Sequence, residues 1–117
     1  MRILQLHSDF IEYKPIQKEG KVAEEAEKKW QRFEELLVLF TCVETGDDDT
    51  VARKAIDETK QALQSLKVNK ILIYPYAHLS SNLARPVDAL KALKAMEDHA
   101  KEVGIEAYRT PFGWNKQ

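Results

Sequence analysis

The chain has 117 residues, a length that supports one domain and excludes a two-domain enzyme carrying its own cofactor domain. A composition of 44% hydrophobic and 32% charged residues, with only four Gly and four Pro, suits a single packed core and excludes a collagen-like or linker-like chain. Eighteen basic residues against nineteen acidic ones give a formal charge of −1, so no global positive field draws the domain to nucleic acid and any RNA contact must be local.

Residues 2–6 predict a short buried strand, with residues 10–13 pairing back on it as a hairpin across His7-Ser8-Asp9 until Pro15 ends the pairing. Val22, Ala26, Trp30 and Phe33 recur at helical spacing among Glu and Lys, which predicts an amphipathic helix over residues 21–34. Residues 36–43 are continuously apolar and rich in β-formers, the pattern of a central strand covered on both faces. Gly46-Asp47-Asp48-Asp49 reads as a solvated turn, and Asp48, Asp49 and Thr50 are candidate caps for the helix whose buried stripe comprises Val51, Ala55, Ile56, Thr59, Ala62, Leu63 and Leu66.

A second strand follows at residues 70–74. A loop through Ser81 and Asn82 then leads to Pro86, which suits the first turn of a helix burying Leu90, Leu93, Ala100 and Val103. Gly104 is the stop signal, and residues 105–109 form a third strand. The order from 36 to 109 is strand, helix, strand, helix, strand, joined by right-handed crossovers. The expected fold is therefore α/β (α+β), a mixed sheet with an N-terminal hairpin that joins the sheet or closes it partway into a barrel.

In such sheets ligands bind beyond the carboxyl ends of the strands, where Cys42-Val43, residues 75–81 and Pro111-Phe112-Gly113 converge. The candidate reactive groups there are His78, Lys116, Cys42 and the hydroxyls of Ser80 and Ser81, and no spacing among them names a reaction. His78 can act as a base, donate to a carbonyl or contact ribose, and a structural hydrogen bond within its loop is the alternative. Lys116 is either a frayed terminal lysine or a pocket cation.

Cys42 is the single cysteine, which excludes an internal disulfide and a multi-cysteine zinc site and fits a reducing, cytoplasmic compartment. Its apolar strand favours a neutral thiol used in packing. His99 suits the end of a helix, His7 a turn, and no two of the three histidines have metal-ligand spacing. Lys29, Lys54, Lys91, Lys94 and Lys101 read as solvated helix charges. No run approaches the ~18 apolar residues of a membrane span.

Four stretches together are distinctive: Ile3-Leu4-Gln5-Leu6-His7-Ser8-Asp9-Phe10-Ile11-Glu12-Tyr13, Cys42-Val43-Glu44, Tyr74-Pro75-Tyr76-Ala77-His78-Leu79-Ser80-Ser81-Asn82-Leu83-Ala84-Arg85-Pro86, and Pro111-Phe112-Gly113-Trp114-Asn115-Lys116. Over its whole length the chain resembles the N-terminal editing domain of archaeal threonyl-tRNA synthetases. The resemblance implies a fold like that of D-aminoacyl-tRNA deacylases, a homodimer, and hydrolysis of L-serine from wrongly charged threonine tRNA at the 3′-terminal adenosine. The substrate's ribose 2′-hydroxyl takes a large part in activating water.

Carried over, His78 contacts or orients the substrate, and Lys116 holds the amino acid and the catalytic water. Phe40, Cys42, Val43, Pro75, Tyr76, Ala77 and Phe112 form the walls around adenine and side chain. Asn115 stands in the pocket where many members have tyrosine. No cofactor is implied for this domain, since ATP and zinc belong to a synthetase body. Members continue past the lysine with a strand pair carrying an acidic pocket residue, so residues 1–117 are expected to be one editing domain, truncated at its C-terminal end and excised from a larger synthetase.

A site without triad or metal can still cleave esters, because oriented partners reach effective molarities of ~10⁵ M or more. Serine and threonine differ by one methyl, for which an apolar pocket supplies only ~1–3 kcal/mol, so a second, editing site has a clear purpose. The alternative function is a non-catalytic dimerising module that recognises tRNA or an adenine nucleotide. A small flavodoxin-like signalling domain fits the alternating elements but lacks paired acidic residues after its first strand.

Overall fold

The computed structural model describes residues 1–116. Its strands are β1 (Arg2–Tyr13), β2 (Pro15–Lys18), β3 (Gln31–Cys42), β4 (Lys70–Pro75), β5 (Glu106–Arg109) and β6 (Trp114–Lys116), and its helices are α1 (Asp49–Leu66) and α2 (Pro86–Glu102). The main sheet has the order β1-β3-β4-β5, with β1 antiparallel to β3 and the other neighbours parallel. A second sheet pairs β2 with β6. The result is a mixed α/β fold with two separate sheets and no closed barrel.

The continuous apolar run of β3 is explained by burial on both faces. Leu37 and Leu39 face a core shared with Ile56 and Leu63 of α1 and Leu93 and Met96 of α2. Leu36 and Val38 face a second cluster with Leu72 and Tyr13, edged by Ile11, Phe33, Phe40 and Tyr74. Both helices therefore lie on one face, and aromatic side chains cover much of the other. Among the described residues no helix is long and apolar enough to cross a membrane.

Both helices have local signals that match their ends. Asp48 caps α1 by accepting from the Val51 amide at 3.1 Å. Replacing Asp48 by Ala is expected to cost about 1 kcal/mol, read as a lower urea midpoint with an unchanged slope. Pro86 occupies the first turn of α2, and Gly104 adopts φ +87° just beyond its end.

Two expected elements are absent. There is no N-terminal hairpin: His7-Ser8-Asp9 lies inside the 12-residue β1, which pairs with β3 from Arg2↔Cys42 to Tyr13↔Gln31. That triplet lacks the Gly or Asn that a tight hairpin turn needs, whereas β3 offers a partner along the whole length. His7 consequently sits opposite Leu37 rather than in a turn.

Nor is there a helix over residues 21–34. Residues 19–30 run as an irregular segment, and Phe33 belongs to β3. Glu35 has φ +51°, and the side-chain alternation breaks there, so that Phe33 and Leu36 share one face at a spacing of three. The helical spacing of Val22, Ala26, Trp30 and Phe33 is thus overridden by tertiary pairing, which places Phe33 opposite Ile11 of β1.

Candidate active site

Strands β3 and β4 end side by side, with Thr41 opposite Pro75. The following loop is tied to the end of β3 by Tyr76 N–H to Thr41 O at 2.9 Å, Ala84 N–H to Val43 O at 3.0 Å and Thr45 N–H to Asn82 O at 3.1 Å. Ser80 donates its hydroxyl to Glu44 at 2.6 Å, and the Met1 ammonium lies 3.0 Å from the same carboxylate. The Ser80 hydrogen bond, then the ammonium, hold Glu44 below the usual carboxylate range. The Ser80 hydroxyl is thus engaged in shaping the loop.

A third segment closes the site from the opposite side. Glu19 N–H donates to Gly113 O at 2.6 Å and Glu24 N–H to Phe112 O at 3.0 Å, so residues 19–24 lie as a strap along residues 112–114. Gly113 permits this contact: it has φ +80°, and a Cβ there would stand 2.5 Å from Val22 O.

Between these segments lies a cavity of ≈ 380 Å³. Its lining includes Cys42, Val43, Pro75, Tyr76, Ala77, His78, Phe112, Asn115 and Lys116, drawn from three separate stretches of the sequence. It also includes Thr41, inside the expected wall segment Phe40 to Val43, and Glu19, Gly20, Lys21, Val22 and Trp114, which sequence reasoning did not single out. Thr41 was detectable from strand alternation, whereas the strap carries no periodic signal.

Phe40 is not among the lining residues. It packs on the far face, 5.1 Å from the Tyr74 ring and 5.7 Å from the Tyr76 ring between centroids. The period of two in β3 directs Phe40 away from the face that Thr41 shares with Leu39. It stands behind Tyr74 and Tyr76, both of which line the cavity.

Lys116 reaches the cavity from β6. Its ammonium donates to Trp114 O at 3.2 Å and lies 4.9 Å from the Tyr74 ring centroid. Burial lowers its pKa to about 8, against the opposing pull of Glu19 and Glu24. It therefore remains mainly protonated at neutral pH while exchanging its proton readily just above. His78 sits exposed in the short 3₁₀ turn Ala77–Leu79, its ring edge-on to Tyr76 at 5.2 Å.

The remaining candidates lie elsewhere or are occupied. The Cys42 thiol is buried, 3.9 Å from Ala77 O, and burial followed by the Glu44 charge pushes its pKa up. Iodoacetamide at neutral pH should alkylate it at least about tenfold more slowly in the native protein than in urea. His99 lies in the last turn of α2, as expected, but is only 7% exposed and bridges the helices through Asp57 at 2.7 Å. Lys29 pairs with Glu27 in the irregular segment, not on a helix, and Lys101 pairs with Glu97.

Residues 1–117 match the family described as the archaea-specific editing domain of threonyl-tRNA synthetase. The chain is 50% identical over 117 residues to a threonine–tRNA ligase of Nitrosopumilus maritimus, covering 99% of this chain and 18% of that protein. It is 47% identical over 116 residues to the corresponding ligase of Cenarchaeum symbiosum, covering 99% and 18%. A threonine–tRNA ligase editing subunit of Saccharolobus solfataricus is 41% identical over 116 residues, covering 99% of this chain and 30% of that subunit. The chain thus spans less than a third of the length of these relatives. It belongs to the archaea-specific threonyl-tRNA synthetase editing-domain family.

Proposed function

We propose that the cavity hydrolyses the ester of L-seryl-tRNA(Thr), the product of mischarging threonine tRNA with serine. The observation that carries the reading is the meeting of Cys42, His78 and Lys116, from three distant segments, on one cavity, with Phe112 beside Lys116. Its ≈ 380 Å³ lies within the range of small-ligand pockets, and its lining mixes apolar walls with few polar groups. Family membership supplies the substrate class, and the chemistry follows from the side chains.

In this reading Tyr76, Pro75 and Phe112 flank the terminal adenosine, and His78 contacts its ribose. Cys42, Val43 and Ala77 bound the space for the seryl side chain, and discrimination requires that they turn away the extra methyl of threonine. Water adds to the ester carbonyl, its proton passing to the neighbouring ribose hydroxyl, which hands its own proton on to the ribose oxygen of the ester. The Lys116 ammonium stabilises the oxyanion and orients the water. Collapse expels the ribose oxygen, which takes up a proton, and serine leaves as the free acid. Asn115 offers an amide to the amino acid from the strand that carries Lys116. Catalysis is then mainly placement plus one positive charge, and no cofactor enters.

The domain would act as the proofreading module of a larger cytoplasmic threonine–tRNA ligase, or beside one as a subunit. It would act as a homodimer, because the edge strand β1 leaves Leu4, Leu6 and Phe10 each more than half exposed. Sedimentation at micromolar concentration should give twice the chain mass.

The binding test uses a non-hydrolysable seryl-adenosine, adenosine alone and the threonyl analogue. Binding of the seryl analogue at least about tenfold more tightly than either comparator supports the reading. Equal affinity for seryl-adenosine and adenosine marks a plain nucleotide-binding module instead.

A further inference from the structure

Glu24 is bonded to three positions of the segment that leads into Lys116. Its carboxylate receives the Arg109 guanidinium on both oxygens, from Nη1 and, at 3.1 Å, from Nη2. The same carboxylate accepts the Phe112 amide at 3.0 Å, and its carbonyl accepts Trp114 Nε1 at 2.7 Å. Arg109 in turn donates Nε to Glu97 of α2 at 3.0 Å, which anchors the cluster to the helix layer. The side chains of Arg109 and Glu24 are only 11% and 21% exposed, so water competes weakly for these bonds.

We propose that Glu24 and Arg109 are positioning residues for the cavity, holding the strap of residues 19–24 against residues 112–114 and thereby fixing where Phe112 and Lys116 stand. The assignment rests on the ester-cleaving reading and deepens it. Neither residue touches the reacting atoms. Each acts through the short β6 strand, whose few ladder bonds to β2 include an irregularity between Pro15 and Gln17. A three-residue strand with a broken register holds its end loosely, and the Arg109–Glu24 bonds supply the missing constraint. Displacement of a catalytic group by about 1 Å is enough to lose on the order of 100-fold in rate.

The test compares wild type, Glu24→Gln, Arg109→Ala and Arg109→Lys in hydrolysis of L-seryl-tRNA(Thr). Glu24→Gln keeps the size of the side chain and an acceptor for Phe112 N–H, so a folded variant is expected and thermal unfolding checks it. Both Glu24→Gln and Arg109→Ala should lower kcat by roughly 10- to 100-fold with KM changed less than about threefold, and Arg109→Lys should recover a substantial part. The groups facing Lys116 are Glu19 and Glu24 from the strap, the Tyr74 ring from β4 and the Trp114 carbonyl, with His78 on the same cavity. Removing the Glu24 charge should therefore also move the pH midpoint of Lys116 below about 8, a change that mere loosening of the fold does not produce. Wild type that leaves the seryl ester intact overturns the ester-cleaving reading together with this assignment. Wild type that cleaves it, alongside variants with unaltered kcat and pH midpoint, overturns the assignment alone.

Discussion

Replacing Lys116 by Met is expected to slow the release of serine from seryl-tRNA by roughly 100-fold or more, the usual loss when one preorganised donor to an oxyanion is removed. Methionine fills similar space without the charge, so binding of the seryl-adenosine analogue should change much less than the rate. The ratio of wild-type to variant rates should fall as pH rises through about 8, because only the protonated amine stabilises the oxyanion. A ratio that instead climbs through that region would make Lys116 a base rather than a charge donor. Stability moves the other way. The folded pKa of about 8 lies below the ordinary 10.5, so between those values the unfolded chain holds the extra proton and the fold gains stability as pH rises. At pH 7 the buried ammonium opposes folding, and Lys116→Met should unfold at the same or a higher temperature than wild type. Lost activity in a variant of undiminished stability separates chemistry from misfolding.

Gly113→Ala is expected to be the most damaging small substitution near the site. The φ of +80° already costs an L side chain about 1–2 kcal/mol. The added Cβ would also stand 2.5 Å from Val22 O and 2.8 Å from Ala23 Cα, which are backbone atoms of the strap and cannot turn aside as a flexible side chain can. Overpacking adds about 1–3 kcal/mol, so denaturant unfolding should report a loss of about 2–5 kcal/mol, or the strap should detach. In the second case the main sheet survives, global stability falls little, and the seryl analogue is no longer held. Unchanged stability together with unchanged binding would show that the strap does not pack against residue 113.

Much of the architecture was legible because its signals are local. The buried track Ile56, Thr59 and Leu63, the cap at Asp48, and the Pro86 and Gly104 punctuation each concern neighbours within a turn or two, although the stripe is completed by Ala52 and leaves the expected Leu66 exposed. The parts that were not legible depend on distant partners. Val22, Ala26, Trp30 and Phe33 read as a helix without β1 in view, yet Phe33 pairs opposite Ile11 of β1 and residues 19–30 run as an irregular segment. β2 and β6 are four and three residues long and meet across about a hundred positions, too short for a periodic pattern. At the site, the carboxyl-end rule for parallel strands brings attention to Cys42, Val43, residues 75–81 and Phe112, with Lys116 among the reactive groups, and the family resemblance adds Asn115 and the roles. Phe40 meets the site only through the Tyr74 and Tyr76 rings it packs against, since strand alternation turns it from the face that Thr41 shares with Leu39. Glu19, Lys21 and Val22 reach the cavity only through backbone bonds to Phe112 and Gly113, which no motif announces.

The central claim is tested most directly by single-turnover hydrolysis of L-seryl-tRNA(Thr), followed beside L-threonyl-tRNA(Thr) at pH 7 with the protein in excess. The account predicts rapid appearance of free serine while the threonyl ester decays at little more than its rate in buffer. Seryl ester that persists as long as it does without protein, in a sample that is folded and binds the seryl-adenosine analogue, would contradict it.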